Sequence, residues 1–359
     1  MQNMIRMKQD LLIIDVNPFG ALTDSVKWVE FLKDEWNITM ICFAEKDGSK
    51  ANNYGFKLIQ LRNYKRRKIK ALWFLLYTII YLFFHRGKIV VEYFPTCEIY
   101  KRLFPWKRIL VDVRTLSVST QDNVRKVHNA RLVKACTYFD KVTAISEGVA
   151  KQMALPNISV LPLGSDVISY TEKVFTDAIR LIYVGTFTNR HIELTIEGVI
   201  AFHKEHPDIP ITYNIIGYGV NNEELQFCKI VNKNKATDYI KIIGKIPHKD
   251  LKPYLDNSNV GLSFVPITDY YNDQPPTKTY EYCLAGIYCI ATATTVNKSL
   301  INTQNGVLIE DTIQDVKNGL EYFWNNRKMF SSKEIRNSLQ ECTWENIVTH
   351  KFSPILKSL

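Results

Sequence analysis

Three side chains capable of chemistry lie close together late in the chain, in the segment DQPPTKTYEYCLAGIYCIA at residues 273–291. Its two prolines predict a loop, and a short helix that carries Lys278 and Glu281 follows them and ends at Gly286. The start of a helix presents unbonded N–H groups and a partial positive charge, and the lysine adds a full charge. The segment therefore predicts a site for an anionic ligand, with the carboxylates of Asp273 and Glu281 beside it.

Alternating strands and helices must position this segment. Apolar runs predict strands at 11–16, 38–43, 57–61, 88–93, 108–113, 141–145, 158–161, 180–184, 211–216, 239–243, 260–264, 287–291 and 307–309. Helical periodicity falls between them, at 23–36, 69–84, 123–139, 147–153, 192–206, 223–232, 249–255, 277–285 and 312–325. Strands that alternate with helices predict an α/β protein with parallel sheets and right-handed crossovers.

The length of 359 residues favours two domains, because one hydrophobic core rarely grows so large. The polar segment 164–177 interrupts the strand pattern and is the expected boundary. We therefore expect one Rossmann-like domain at 1–170 and a second at 177–335. The chain after Ser331 is helical in pattern, and residues 336–359 form the expected helical tail.

Charge and cysteine content narrow the class of protein. Residues 1–175 carry 27 lysines and arginines against 16 acidic residues, and the rest of the chain is nearly neutral. The basic half indicates an anionic partner, either a membrane or a nucleic acid, or a solvated surface with extra lysines. No nucleic-acid-binding module is recognisable, so we expect no nucleic acid partner. Seven scattered cysteines and the lack of a secretory pattern favour reduced thiols and a cytoplasmic location.

Asp273 and Glu281, with seven residues between them and a glycine turn and a strand after them, resemble the signature of family 4 glycosyltransferases with the GT-B fold. Further segments resemble that family in order, namely 181–185, 214–219, 242–247 and 260–266. The resemblance implies two Rossmann-like domains that face each other across a cleft. It also implies a tail that returns to the first domain.

The resemblance assigns roles to residues of the second half. Glu281 would bind the ribose hydroxyls, since a carboxylate accepts two hydrogen bonds from a diol. Asp273 would face the sugar as a catalytic residue. The remaining donor-binding candidates in this half are Gly185, Arg190, Lys245, Ile246, Lys278 and Thr279. The family has an arginine where Thr186 stands, and a glutamate where Asp273 stands. An ordinary helix-surface carboxylate is the alternative for Glu281.

In the first half, the loop at 17–22 resembles the glycine-containing loop that touches acceptor and donor phosphate, which makes Gly20 a donor-binding candidate. A plain strand-to-helix turn is the alternative. Asp112 and Arg114 end a strand that would face the cleft, and they are the catalytic candidates of this half. Arg114 could neutralise a phosphate, but a buried Asp–Arg pair with a structural role explains the residues almost as well.

Residues 65–88 join a basic cluster to an apolar, aromatic-rich run. The run of 14 residues at 71–84 is too short to cross a bilayer, which needs roughly 20. It is typical either of a helix that lies in a membrane interface or of a core helix with a basic cap. We expect one face to pack inward and the basic end to contact the anionic inner membrane.

The resemblance implies a retaining glycosyltransferase, and we expect it to need neither a metal nor a cofactor. It would move a sugar from a UDP- or GDP-sugar to a saccharide, lipid-linked or oligosaccharide, in the synthesis of bacterial capsule, lipopolysaccharide O-antigen or exopolysaccharide. The expected location is the cytoplasmic face of the inner membrane. The alternatives are a nucleotide-sugar 2-epimerase of the same fold and a non-catalytic membrane-associated partner of polysaccharide assembly.

Overall fold

The structure is a computed structural model that describes residues 8–45 and 55–359, which form two compact units. Unit 1 contains the described residues up to Leu163 together with Trp344–Leu359, and unit 2 contains Gly164–Thr343. The segment 164–177, expected from the sequence as a boundary, is therefore part of unit 2. So are residues 336–343 of the predicted tail.

Unit 1 is built on a parallel sheet. Its strands are β1 (Gln9–Pro18), β2 (Trp36–Phe43), β3 (Lys57–Leu61), β4 (Lys88–Glu92), β5 (Ile109–Val113), β6 (Lys141–Ala144) and β7 (Ile158–Val160), and its helices before residue 164 are α1 (Thr23–Leu32), α2 (Arg67–Phe84), α3 (Ile99–Leu103), α4 (Asp122–Cys136) and α5 (Glu147–Met153). The strand order is β3-β2-β1-β4-β5-β6-β7. Leu11, Leu12, Ile13 and Ile14 of β1 are all fully buried, as expected for a central strand covered on both faces.

Helix α2 packs on unit 1 by a narrow face. Phe74, Thr78 and Leu82 are buried at four-residue intervals, so they form one stripe along the helix. Thr78 also lies within hydrogen-bonding distance of Tyr100 in α3, with 2.6 Å between the hydroxyl oxygens. Across the part of the chain that the structure covers, no helix combines the length and the apolar character needed to span a membrane.

Unit 2 repeats the architecture with a second parallel sheet. Its strands are β8 (Ile179–Thr186), β9 (Ile211–Tyr218), β10 (Ile240–Gly244), β11 (Val260–Ser263), β12 (Tyr288–Thr292) and β13 (Gly306–Ile309), and its helices are α6 (Ile192–Glu205), α7 (Glu223–Lys233), α8 (Lys252–Asp256), α9 (Thr277–Leu284), α10 (Thr295–Leu300), α11 (Ile313–Asn326) and α12 (Ser332–Asn337). The order is β10-β9-β8-β11-β12-β13. Gly286 adopts φ +71° after α9, a backbone conformation that favours glycine and ends the helix.

The last residues return to unit 1 as helices α13 (Trp344–Ile347) and α14 (Ser353–Lys357), which flank a π-helical turn, Val348–Phe352. The Phe352 ring packs against Trp28 of α1, with 4.7 Å between ring centroids. Lys88 at the start of β4 donates a hydrogen bond to the Leu356 carbonyl at 2.7 Å. Aromatic packing and carbonyl acceptors therefore hold this tail on unit 1.

The elements follow the sequence pattern with three differences. Helix α1 ends at Leu32, four residues before the predicted end, because a turn from Leu32 to Glu35 brings Trp36 into β2, where it is buried. The predicted helix at 249–255 is divided into a 3₁₀ turn, His248–Asp250, and α8. The short helices α3 and α10 were not predicted, since five or six residues carry too little periodicity.

Candidate functional site

The candidate site of unit 2 lies where the strand order of its sheet reverses. Strands β8 and β11 are neighbours, but the chain continues from β8 to β9 on one side and from β11 to β12 on the other. In open parallel sheets, ligands bind outside the carboxyl ends of the strands at such a point. Gly185 and Arg190 lie at the end of β8 and just after it. Asp273 and Lys278 lie in the connection that follows β11.

Helix α9 is held in this connection by buried polar contacts. The Thr279 hydroxyl lies 2.7 Å from the Ser263 hydroxyl and 2.8 Å from Asn297 Oδ1. Tyr282 accepts a hydrogen bond from the Val184 N–H at 2.8 Å. No side chain caps the start of the helix, so its positive end is not compensated there. The Thr279 hydroxyl anchors the helix, and a contact of this residue with a donor stays a prediction.

Lys278 is the buried cation of the site. Its side chain is 7% exposed, and its Nζ donates to Tyr183 Oη and to the Phe264 carbonyl, each at 3.3 Å. Burial and, to a smaller extent, repulsion from Arg190 lower the pKa of Lys278 to about 7, while Glu281 acts in the opposite direction. Among the described residues, none forms a salt bridge with Lys278. An anion placed here would restore the favourable charge of this lysine.

Two glycines lie at the ends of the neighbouring strands β8 and β9, and one of them is beside the lysine. A Cβ atom on Gly185 would lie 3.5 Å from Lys278 Nζ and 3.2 Å from Tyr183 Oη. A Cβ on Gly217, which pairs with Gly185 across β8 and β9, would lie 1.7 Å from the Gly185 carbonyl oxygen. The close approach of these two strand ends therefore requires glycine at 217. Glycine at 185 leaves open space beside the lysine.

Arg190 is the second cation of the site. Its guanidinium carbon lies 4.0 Å from the centre of the Tyr271 ring. Its Nη1 atom is buried, and no hydrogen-bond acceptor for that atom exists in the described residues. Asn189 and His191 on either side have positive φ angles, which fix a tight turn around it. A buried donor without an acceptor is costly, so this side chain is well suited to meet an anionic ligand.

Glu281 contacts the loop that follows β10, away from the two cations. Its Oε1 lies 3.0 Å from Nε2 of His248, which follows β10 in the same loop as Lys245 and Ile246. Lys245 places its Nζ 4.7 Å from the centre of the Tyr218 ring. Glu281 is therefore more than a solvated helix-surface carboxylate, and the β10 loop and α9 are linked by a polar contact.

Asp273 is half-buried at the end of the loop before α9. Beside it in sequence, Asn272 Oδ1 is buried without a hydrogen-bond partner in the described part of the chain, and so is the hydroxyl oxygen of Thr268. Unsatisfied buried polar atoms are rare in folded proteins. The loop therefore offers polar atoms that a sugar hydroxyl could satisfy, near the residue that the sequence predicts to face the sugar.

The candidates of unit 1 lie at the carboxyl end of its own sheet. Arg114 forms ion pairs with Asp24 of α1 and with Asp112, whose Oδ2 is 3.6 Å from its Nε, and donates to the Leu161 carbonyl at 2.8 Å. Burial raises the pKa of Asp112 to about 6, although Arg114 and a hydrogen bond from Thr143 oppose the shift. Of the two interpretations left open by the sequence, the structure shows the buried Asp–Arg pair. Gly20 lies in an exposed turn after β1, with φ +93°.

Two further acids join this cluster. Glu92 at the end of β4 stands opposite Asp112 in the register of the sheet, and Asp15 of the neighbouring β1 is in hydrogen-bonding contact with it. Two carboxyl groups can form such a contact only if they share a proton. Burial first, and then repulsion from Asp15 and Asp112, raise the pKa of Glu92 to about 9. Glu92 is therefore the protonated partner at neutral pH.

Sequence reasoning missed Asp15, Glu92 and His248. Asp15 and Glu92 each follow an apolar run in a central strand, and the strand order of the sheet reverses between these two strands. A search for acids after the apolar runs of central strands would have found both. His248 lies two residues after Ile246 in a loop already assigned to the donor. No sequence pattern pairs it with Glu281, since the contact joins residues 33 positions apart.

Possible metal ligands in the described residues form one group elsewhere on unit 2, with Glu205, His206 and Glu321 within reach of one another. Lys317 lies 2.6 Å from Glu205 and 3.6 Å from Glu321, so an ammonium group already neutralises these carboxylates. This arrangement gives no reason to place a cation there.

Comparisons with known proteins agree with this architecture. No protein family model matches the chain. A curated protein, the UDP-N-acetylglucosamine–peptide N-acetylglucosaminyltransferase GtfA subunit of Limosilactobacillus reuteri, is 33% identical over 99 residues, which are 27% of this chain. The match spans only 19% of that relative's length.

Solved structures match over almost the whole chain. A sucrose-phosphate synthase from Thermosynechococcus elongatus has a TM-score of 0.75 at 16% identity, covering 98% of this chain and 99% of its own. The lipopolysaccharide outer core galactosyltransferase WaaB scores 0.74 at 15% identity, and Anabaena HepE in complex with UDP and glucose scores 0.73 at 12%. Both cover 98% of this chain and 100% of their own. The predicted fold is confirmed: this chain has the fold of the GT-B glycosyltransferases.

Proposed function

We propose that this protein is a glycosyltransferase that takes a sugar from a nucleotide diphosphate donor bound in unit 2. The observation that carries the proposal is the pair of cations, Lys278 and Arg190, at the strand-order reversal. Neither has a carboxylate partner in the described residues, and both lie near the uncapped start of α9. A diphosphate supplies the negative charges that this arrangement lacks.

The remaining contacts follow from the residues around the cation pair. Glu281 accepts hydrogen bonds from the ribose, with His248 holding its carboxylate in place. Lys245 and Ile246 follow the neighbouring strand and contact the base. We favour UDP as the nucleotide because HepE and a pneumococcal GtfA were solved with UDP, and the Limosilactobacillus GtfA subunit is named for a UDP-sugar.

The proposed chemistry is that of family 4, with retention of configuration at the sugar. The acceptor oxygen forms a bond to the anomeric carbon, while the bond from that carbon to the diphosphate oxygen breaks. The acceptor proton passes to the leaving diphosphate. Lys278, Arg190 and the start of α9 stabilise the charge that develops on it, and such electrostatic stabilisation often contributes most of the rate enhancement in enzymes. Asp273 orients the sugar. Neither a metal nor a cofactor is required by this scheme.

For the acceptor we propose a saccharide, lipid-linked or as an oligosaccharide, in the synthesis of a bacterial surface polysaccharide. WaaB, among the structural neighbours, is an enzyme of lipopolysaccharide outer core by its name. Unit 1 would bind the acceptor with the acid cluster around Asp112, which Arg114 positions. The helix at 67–84 and the basic residues before it would contact the cytoplasmic face of the inner membrane.

Calorimetric titration with UDP and GDP tests the donor site. We expect UDP to bind, and Lys278→Met to lower the affinity at least about a hundredfold, since a buried charge-assisted contact is lost. Lys298→Met is the matched control, because Lys298 is an exposed lysine of α10 in the same unit and should bind like the wild type. Equal binding by the Lys278 variant, or no binding of either nucleotide by the wild type, would exclude the proposed site.

A further inference from the structure

Besides the cation pair of unit 2, the protein has a cationic cavity in unit 1. It lies at the edge of the sheet opposite to Asp112. A cavity of about 850 Å³ opens beside the starts of β1, β4 and β5. Six cationic side chains line it, namely Lys8, Arg86, Lys88, Lys107, Arg108 and Lys357. This edge holds the amino ends of the strands, so the cavity is distinct from the acceptor region proposed above.

Little negative charge offsets these cations. Lys357 forms an ion pair with Glu35, and Asp10 is an acidic side chain of the lining. Lys107 donates a hydrogen bond to the His85 carbonyl, which is a neutral acceptor and does not offset the positive charge. Arg86 is exposed and makes no hydrogen bond within the described residues. The cluster thus has an excess of positive charge that an anionic group would neutralise.

The rim of this cavity is apolar. Phe83, at the end of α2, is 62% exposed, and Trp106 is 70% exposed, although both line the cavity. The buried ring of Phe104 joins them, with centroids 6.4 Å from Phe83 and 5.8 Å from Trp106. Large aromatic side chains beside a cationic cavity are suited to a ligand that has an anionic head and an apolar body.

The apolar rim continues along α2. Seven large apolar side chains of this helix are exposed and fall on its outer surface: Ile69, Leu72, Trp73, Leu76, Ile80, Phe83 and Phe84. The four residues at 65–68, just before and at its start, are basic and exposed. An apolar stripe of about 24 Å with cations at both ends has the charge and shape of a helix that lies flat in the headgroup layer of a membrane.

We propose that the cavity lined by Arg86 and Lys107 is a binding site for the phosphate headgroup of an anionic membrane lipid, whose acyl chains lie against Phe83, Trp106 and the exposed face of α2. This deepens the membrane contact of the proposed function by assigning a second lipid-binding element outside the basic run at 65–70. The occupant is a lipid in a bilayer, since the exposed stripe of α2 would be unused by a soluble phosphate.

Vesicle sedimentation tests the site with the full chain. We expect binding to vesicles in which about a third of the phosphatidylcholine is replaced by phosphatidylglycerol, and weak binding to phosphatidylcholine alone. Arg86→Glu should lower the partition coefficient roughly tenfold or more, because a charge near the anionic surface is reversed. Lys151→Glu on α5 makes the same charge change at an exposed lysine outside the cavity and should have a much smaller effect.

Tryptophan quenching by brominated lipids checks the orientation. Trp73 and Trp106 are exposed on the proposed face, whereas Trp28 and Trp36 are buried in unit 1. Quenching should occur on anionic vesicles and should fall in Trp106→Phe. Equal vesicle binding by the Arg86 and Lys151 variants, or quenching that Trp106→Phe leaves unchanged, would overturn the proposal. So would binding of inorganic phosphate or single-stranded nucleic acid that depends on Arg86 without any binding to vesicles.

The lipid site and the donor site can be tested separately. Arg86→Glu should bind UDP like the wild type, and Lys278→Met should bind vesicles like the wild type. Loss of UDP binding with intact vesicle binding would count against the proposed function alone. The reverse result would count against the lipid site alone.

Discussion

The carboxyl ends of the two sheets have the same topology and opposite electrostatics. In unit 2, Lys278 and Arg190 lie at the strand-order reversal without a carboxylate partner in the described residues. In unit 1, the corresponding place holds Asp15 and Glu92, with Asp112 on the next strand. A doubly wound sheet fixes where a ligand can bind, and the side chains at that place decide which ligand it is.

Burial favours the neutral form of the ionisable side chains at both sites. It lowers the pKa of Lys278 to about 7 and raises the pKa of Glu92 to about 9. The consequences differ, because the cations of unit 2 can regain their charge by binding an anion. The acids of unit 1 need no ligand to offset their charge, since Arg114 pairs with Asp112 and Glu92 holds its proton beside Asp15. Unit 2 is thus prepared for a charged ligand, and unit 1 for a hydroxyl-rich neutral one.

The strongest test of the comparison is the loss of the cation that has no partner. Arg190→Ala should reduce turnover about a hundredfold to a thousandfold, because the leaving diphosphate loses a preorganised donor. Arg180→Ala is the matched control, since Arg180 of β8 is paired with Asp177 and should matter little for turnover. Steady-state rates of sugar transfer, or of donor hydrolysis where the acceptor is unknown, measure the effect. A loss confined to KM would show that Arg190 contributes to ground-state binding only.

The pH dependence of UDP binding, which follows from the protonation of Lys278, is a second test with a smaller expected effect. Below pH 7 the lysine is charged in the free protein, and above pH 7 it must take up a proton when the diphosphate binds. The affinity for UDP should therefore fall as the pH rises above 7, by up to about tenfold per pH unit. Titrations in buffers with different ionisation enthalpies should show proton uptake at pH 8. In Lys278→Met the weaker binding should lose this uptake. Uptake that persists in the variant would assign the proton to another group.

The sequence predicted the main site residues of unit 2, whereas it did not predict the contacts of the acids in unit 1. The reason for the difference is physical. The segment at 273–291 carries its own loop, helix and strand signals, so the position of Lys278 could be predicted from local pattern. Arg114 was recognised as a candidate, but its partner Asp24 lies 90 positions away in α1. The contact of Asp15 with Glu92 depends on the pairing of β1 with β4, which no local pattern encodes.

The acid cluster of unit 1 is tested by the dependence of stability on pH. In the folded protein Glu92 keeps its proton up to about pH 9, whereas the unfolded chain releases it near the ordinary value of 4.5. Between these values the folded state binds more protons, so this group makes the free energy of unfolding fall as the pH rises, by at most about 1.4 kcal/mol per unit. Below pH 4.5 and above pH 9 the group contributes no slope.

Glu92→Gln isolates this contribution, because the amide can still donate a hydrogen bond to Asp15 and cannot ionise. Denaturant unfolding of unit 1 at pH 6 and pH 8 should show a smaller loss of stability in the variant than in the wild type. Glu147→Gln at the exposed start of α5 should behave like the wild type. Identical pH slopes in all three proteins would mean that Glu92 is ionised in the folded state. The cluster would then carry net negative charge and would favour a cationic ligand over the neutral saccharide proposed here.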